Sequence, residues 1–268
     1  MLKQLALLTI TTVACHSASA PPLRVCSDPN NLPFSNQRQE GFENRLAELI
    51  AQQMGTRVEY TWMPQWRGFL RNTLLAKKCD VVMGITSGAE RVLTTAPYYR
   101  STYVFVYRKD RDLAIRSLDD SALRKLKIGV QLVGDDYANT PPVHALSRRG
   151  IIDNLVGYSV FGDYSQPNPP ARVIDAVIAK DVDLAIAWGP LAGYFAQHSP
   201  VPLEIVPVSP AVDPPGLHYA FDISMAVRQD DIGLKNRIER ILKERRSDVD
   251  RILRHYGVPQ AAGHPGLR

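Results

Sequence analysis

The chain has 268 residues, with 32 Lys and Arg against 27 Asp and Glu and a formal charge of +5. That excess is modest for this length: it favours anionic partners slightly and excludes a nucleic-acid binder built on a basic surface. After the first twenty residues no apolar run is long enough to cross a bilayer, which excludes a membrane-spanning helix from the rest of the chain.

The first twenty residues read as a secretory leader. Lys3 is the only charge before Arg24, Leu5 to Ala14 is a short apolar core, and Ala18-Ser19-Ala20 is a small-residue cleavage site. Residues 1–20 are therefore assigned to a signal peptide, with cleavage after Ser19 as a variant because Pro21 follows. Cys15 offers a lipoprotein alternative, against which Thr12-Val13-Ala14 lacks the Leu usual before a lipidated cysteine. Processing removes Lys3 and lowers the formal charge by one. Two cysteines remain, Cys26 and Cys79. In an oxidising compartment such a pair suggests a disulfide; two buried thiols are the alternative.

Strands and helices alternate from the mature start. Leu23–Ser27 is a strand, and Asp28-Pro29-Asn30-Asn31-Leu32-Pro33 is a loop of turn formers. Phe42 to Met54 has helical spacing through Leu46, Leu49 and Ile50, and Gly55 ends it. Arg57–Trp62 reads as a strand, Trp66–Lys77 as a helix and Asp80–Ile85 as a buried strand. Thr102–Arg108 is a strong strand followed by a charged link. Then come a helical turn at Ser117–Leu123, a strand at Lys127–Leu132, a helix at Pro142–Arg149 and a strand at Leu155–Val160. Pro170–Ala179 reads as a helix and Val182–Ala187 as a buried strand, and Leu191–Phe195 is a short apolar segment. Pro200–Pro215 is proline-dense and irregular. Tyr219–Val227 is a strand, and Gly233–Tyr256 closes the fold as helix, with no break placed in it.

The stretch from Cys79 to Arg91 carries the strongest chemical signal. Its apolar run ends at Gly84, where a ligand can approach the backbone. Thr86 then supplies a hydroxyl and Arg91 a planar fork of donors suited to a carboxylate. Donors at a strand end are where open α/β folds bind small ligands. An ordinary strand followed by a helix capped at Thr86 or Ser87 is the alternative.

The repeated βαβ pattern predicts an α/β fold of two lobes, each a mostly parallel sheet flanked by helices, joined by two crossings. Lobe 1 holds residues 21–100 and 222–260, lobe 2 holds 101–221, and 261–268 is a tail. This order resembles the periplasmic solute-binding proteins of family 3, the amino-acid-binding type. The resemblance rests on Leu32-Pro33-Phe34, on Gly84-Ile85-Thr86 with Glu90-Arg91, on Pro97-Tyr98-Tyr99, and on the return strand Phe221 to Val227. Three further segments are similar to the quinoprotein-dehydrogenase-associated subgroup of MxaJ/XoxJ type: Cys26 to Asn36, Ile128-Gly129-Val130-Gln131 with Gly134 to Pro142, and Trp188 to Phe195.

The resemblance implies a type II periplasmic binding-protein fold and a location in the periplasm. It also implies a partnership with a pyrroloquinoline-quinone-dependent methanol dehydrogenase or a peptide segment of it. A transport receptor for a small organic or aromatic anion is the alternative. The cleft residues it implies are Asp28, Asn31, Phe34, Trp66, Gly84, Thr86, Arg91, Gln131, Asp135, Asp136 and Trp188. Trp188 falls where amino-acid binders place an ammonium-holding Asp, which argues against a free amino acid as ligand. No metal site, cofactor or catalytic residue is expected. His144, His198, His218 and His255 lack metal-ligand spacing, and neither Gly-x-Ser-x-Gly nor His-Glu-x-x-His occurs.

Overall fold

The computed structural model describes residues 20–133, 139–159 and 164–261. The proposed leader up to residue 19, the lipidation alternative at Cys15, Asp135 and Asp136, and the tail from residue 262 lie outside the described residues.

The first half of the chain builds one sheet. β1 (Leu23–Ser27) is followed by the two-residue strands β2 (Asn30–Asn31) and β3 (Ser35–Asn36), then α1 (Phe42–Gln53), β4 (Val58–Trp62), the single turn α2 (Phe69–Asn72), β5 (Val81–Thr86) and β6 (Leu93–Thr94). β1 pairs in parallel with β4 and with β5. Side chains alternate across this sheet, as the period of two requires. Val25, Val81 and Met83 enter a core under α1, whereas Cys26 and Val82 enter a second core with Phe69, Leu74 and Cys79. Both faces are therefore covered, which explains the nearly unbroken apolar run in β5. On the second face a disulfide links Cys26 to Cys79, with Cα atoms 5.5 Å apart.

β7 (Tyr99–Arg108) leaves this sheet and enters the next. There follow β8 (Ile128–Leu132), α3 (Pro141–Arg148), β9 (Leu155–Ser159), α4 (Arg172–Ile178), β10 (Leu184–Trp188), α5 (Gly189–Gln197) and β11 (Leu203–Pro207). The hairpin of β12 (Val212–Asp213) and β13 (Leu217–His218) leads to β14 (Ala220–Val227), which returns to the first sheet. α6 (Ile232–Glu244) and α7 (Arg246–His255) then close its face. The strand order is β4-β1-β5-β14-β7-β10-β8-β9.

β7 serves two sheets. Its first four residues, Tyr99 to Thr102, pair antiparallel with Ile223 to Ala220 of β14. From Tyr103 onward it pairs antiparallel with β10 and, on its other edge, with β11. Each lobe is thus mixed: β1, β4 and β5, and likewise β8, β9 and β10, are parallel, while the crossing strands add antiparallel pairs. A strand that runs out to the second lobe needs a partner that runs back, and this sets their opposite directions.

Four elements differ from the sequence reading. Trp66–Lys77 is helical only over Phe69–Asn72. Gly68 opens it with φ 88°, and Thr73 leaves the helical region and turns its hydroxyl onto the Phe69 carbonyl at 2.6 Å. The terminal helix is two helices divided at Arg245, whose φ and ψ are −105° and 24°. Ile238, Ile241, Leu242, Val249 and Leu253 stay in one core on both sides of the break, so apolar spacing alone does not reveal it. The proline-dense segment contains β11, an edge strand that tolerates Pro207 because its outer side needs no donor. The apolar segment at Leu191 is a helix. Its two glycines, four apart, lie against backbone: a Cβ on Gly189 would stand 2.6 Å from the Thr102 carbonyl oxygen, and one on Gly193 1.9 Å from that of Gly257. The chain after α7 is held behind the crossing strands by Ser101 Oγ donating to the Pro259 carbonyl and Ala261 N–H donating to the Arg100 carbonyl.

Cys26 and Cys79 are 53 residues apart. Closing a loop of that length restricts the unfolded chain, so the Cys26→Ser, Cys79→Ser double variant is expected to lose about 2–4 kcal/mol of stability. Urea unfolding of the oxidised protein and the double variant, followed by circular dichroism, checks this.

Candidate functional site

A cavity of about 390 Å³ lies between the lobes. It is built from strand ends: Gly84, Ile85 and Thr86 of β5, Tyr99 and Tyr103 of β7, Gln131 of β8, Trp188 of β10, and Phe221 and Ile223 of β14. Such a placement follows from the topology, since the crossing strands and the ends of the parallel strands meet where the two sheets join.

Six residues expected from the sequence line this cavity: Asn31, Phe34, Gly84, Thr86, Gln131 and Trp188. Asn31 donates through Nδ2 to Gln65 Oε1 at 3.1 Å. Gln131 holds Trp188 in place, because its Oε1 accepts the Trp188 N–H at 3.0 Å. The Trp188 ring meets Tyr103 edge to face with centroids 5.4 Å apart, and lies 6.1 Å from Phe221 at a tilt of 58°. These three rings form a continuous aromatic wall, and Phe34 and Tyr99 face the same space.

Three expected residues do not line the cavity. Arg91 is exposed, in the loop between β5 and β6 with φ 68°. The loop turns at Gly88 and Arg91, both with positive φ, and Thr86 lines the cavity while Arg91 does not. Trp66 is 52 % exposed and its ring packs edge-on to Tyr164. Asp28 is buried and tied into the first lobe's loop, where Oδ1 accepts Asn30 N–H at 2.8 Å and Oδ2 accepts Gln65 N–H at 2.7 Å. Its Oδ2 also accepts the Tyr164 hydroxyl from the other lobe. Asn30 adds two contacts across the mouth. Its Nδ2 donates to the Gln166 carbonyl at 2.9 Å, and its Oδ1 accepts Asn168 N–H at 3.3 Å. Asp28 and Trp66 thus belong to a clasp that bridges the lobes.

The sequence reading missed Glu43, the one ionisable carboxyl in the lining among the described residues. It is in the first turn of α1, 5 % exposed, and no described residue donates a hydrogen bond to it. The space above Gly84, expected to admit a ligand, is taken by this carboxyl: a Cβ on Gly84 would stand 2.1 Å from Glu43 Oε1. A signal was present, since Glu43 falls three, four and seven residues before the buried Leu46, Ala47 and Ile50. An acid on the apolar stripe of a helix is buried by its neighbours. Burial, aided by nearby Asp28, raises the Glu43 pKa from 4.5 to about 8, beyond what the favourable helix N-terminus offsets. Burial also raises the Asp28 pKa, opposed by its hydrogen bonds from Tyr164, Asn30 and Gln65. No Lys or Arg lines the cavity among the described residues, nor do these residues hold a cluster of three or more His, Cys, Asp or Glu suited to a metal ion.

A cleft between two lobes joined by crossing strands, with an aromatic wall and a buried polar floor, defines a hinged ligand-binding protein. Residues 23–259 match the model of the bacterial extracellular solute-binding proteins, family 3, and the chain belongs to that family. It is 32 % identical over 259 residues to Protein MoxJ of Methylorubrum extorquens, covering 93 % of this chain and 85 % of the relative. The crystal structure of MxaJ from Methlophaga aminisulfidivorans MPT aligns with a TM-score of 0.78 at 29 % identity, over 89 % of this chain and all of that one. The periplasmic binding protein XoxJ from Methylobacterium extorquens AM1 aligns with a TM-score of 0.73 at 36 % identity, over 90 % of this chain and 99 % of that one. Among the described residues no helix is long and apolar enough to cross a membrane.

The unfolded Glu43 carboxyl ionises near 4.5 and the folded one near 8. The fold therefore holds the extra proton between these values, and the stability it contributes is complete below 4.5 and lost as pH rises to about 8. Asp28, Tyr60, Tyr98 and Tyr99 are the titratable groups that interact with Glu43. Glu43→Gln is expected to melt close to the wild type at pH 4.5 and clearly above it at pH 8.5, as read by thermal denaturation across that range.

Proposed function

We propose that this chain is an exported, non-catalytic binding protein that accompanies a pyrroloquinoline-quinone-dependent methanol or alcohol dehydrogenase in the periplasm, assisting its maturation or holding a segment of it. The observation that carries this reading is the likeness to MxaJ and XoxJ along about nine-tenths of the chain. The subgroup segments lie where a binding role needs them. Cys26 to Asn36 supplies half of the clasp together with Phe34 of the cavity, and Trp188 to Phe195 supplies the central ring of the aromatic wall and the helix packed against the crossing.

A transport receptor for a small organic or aromatic anion is the second reading. Thr86 at the cavity favours it. The placement of Arg91 outside the lining counts against it, because an anion in a half-closed apolar cleft needs a charge partner or several donors. Glu90, the acid nearest Arg91 in sequence, is exposed and outside the cavity lining. Among the described residues the lining holds no His, Lys or Asp to act with Glu43 as an acid–base pair of the kind hydrolysis or dehydration would use.

Affinity capture with the tagged mature chain in its native host tests the proposal. Stoichiometric recovery of a quinoprotein dehydrogenase, identified by mass spectrometry and lowered by Trp188→Ala without loss of fold, is the expected result. Recovery of membrane permease components, or of no dehydrogenase, overturns it.

A further inference from the structure

We infer that the cavity binds a small organic cation, an alkylated or primary ammonium, between its aromatic wall and the Glu43 carboxyl. This assignment is independent of the dehydrogenase partnership and concerns only what the cavity selects.

Three observations point the same way. The first is the wall itself. Tyr103, Trp188 and Phe221 form a contiguous set of rings, and Phe34 and Tyr99 complete the enclosure. Ring faces carry negative potential, and recognition of ammonium groups by several rings is their best-attested ligand chemistry. The second is Glu43, which is 95 % buried, borders the cavity and receives no hydrogen bond from any described residue. A buried carboxyl without a donor is costly unless something supplies a donor or a positive charge. An ammonium group supplies both. The third is the charge balance around the cavity. Asp28 lies close enough to disfavour ionisation of Glu43, and no Lys or Arg lines the space among the described residues. An anion would meet the Glu43 carboxyl and the ring faces, with the Asp28 charge behind them; a cation is attracted by all of them.

The protonation state of Glu43 adds a signature. With its pKa near 8, the carboxyl is mostly protonated at pH 7. A quaternary ammonium cannot give up or accept a proton, so its binding beside the ionised carboxyl expels the Glu43 proton to solvent. Binding is therefore coupled to release of nearly one proton at pH 7, and affinity rises as the pH approaches 8.

Calorimetry on the purified, oxidised mature chain tests the inference with choline, tetramethylammonium, benzoate and 3,3-dimethylbutan-1-ol, the uncharged carbon analogue of choline. Choline is expected to bind at least tenfold tighter than its analogue, benzoate not at all, and Glu43→Gln to remove the preference while the protein stays folded. Titrations at pH 7 in buffers of different ionisation enthalpy are expected to report proton release on the wild type, a readout that does not depend on the variant folding. A blocked tripeptide with a central lysine is run beside tetramethylammonium: tighter peptide binding assigns the ammonium to a protein segment, and tighter tetramethylammonium binding to a free solute. Equal affinity for choline and its analogue, a preference that survives in Glu43→Gln, tightest binding of benzoate, or no binding of any cation overturns the inference.

Discussion

The antiparallel pairing of Tyr99–Thr102 with Ala220–Ile223 is the constraint on which the rest of the structure depends. These four register pairs are the seam between the two lobes, and the same strands place Tyr99, Tyr103, Phe221 and Ile223 at the cavity. Hinge and binding surface are therefore one piece of sheet. Rotation of one lobe against the other changes the spacing of the aromatic wall directly, with no intervening loop to absorb the motion. The seam is reinforced behind by the chain after α7, bonded to Arg100 and Ser101, and by Gly189 and Gly193 of α5, which bring helix and backbone into direct contact.

Electrostatics give this cleft its chemical character. Amino-acid receptors of this architecture hold a carboxylate with an arginine and an ammonium with an acid. Here Arg91, expected beyond the end of β5, does not line the cavity, and the acid comes from a different element, the first turn of α1. The Glu43 carboxyl lies over Gly84, so the missing side chain there accommodates another part of the protein. Glycine at a strand end was read as room for a ligand. The same observation fits room for a buried acid, and only three-dimensional placement distinguishes the two.

The sequence made the fold legible where apolar periodicity and turn chemistry agree. Leu23–Ser27 has the bounds of β1, and the helix read from Phe42 matches α1 within a residue. Legibility failed where a backbone break leaves the apolar pattern intact, as at Arg245, and where tertiary pairing recruits a proline-dense edge segment, as in β11. At the cleft, residues at strand ends and in the Pro-Phe loop were readable because topology alone brings them together. Tyr99, quoted only for the resemblance, sits on the seam and lines the cavity as well, since a residue there does both. Asp28 and Trp66 were read as cavity residues and instead bridge the lobes. Their shared partner, Tyr164, lies 136 residues from Asp28 and about a hundred from Trp66 in sequence, and no local pattern announces such a pairing.

The clasp formed by Asp28, Asn30 and Trp66 with Tyr164, Gln166 and Asn168 consists of protein groups alone. Its six residues lie outside the cavity lining, and only Asp28, through its charge, reaches Glu43 inside it. Affinity and exchange are then governed by different parts of the molecule. The rings and Glu43 set how strongly one occupant is preferred over another, while the clasp sets how often the mouth opens and hence how quickly any occupant enters or leaves. Loosening the clasp at Asn30 or Trp66, away from Asp28, shortens the dwell time of every ligand alike and leaves the ranking among them unchanged.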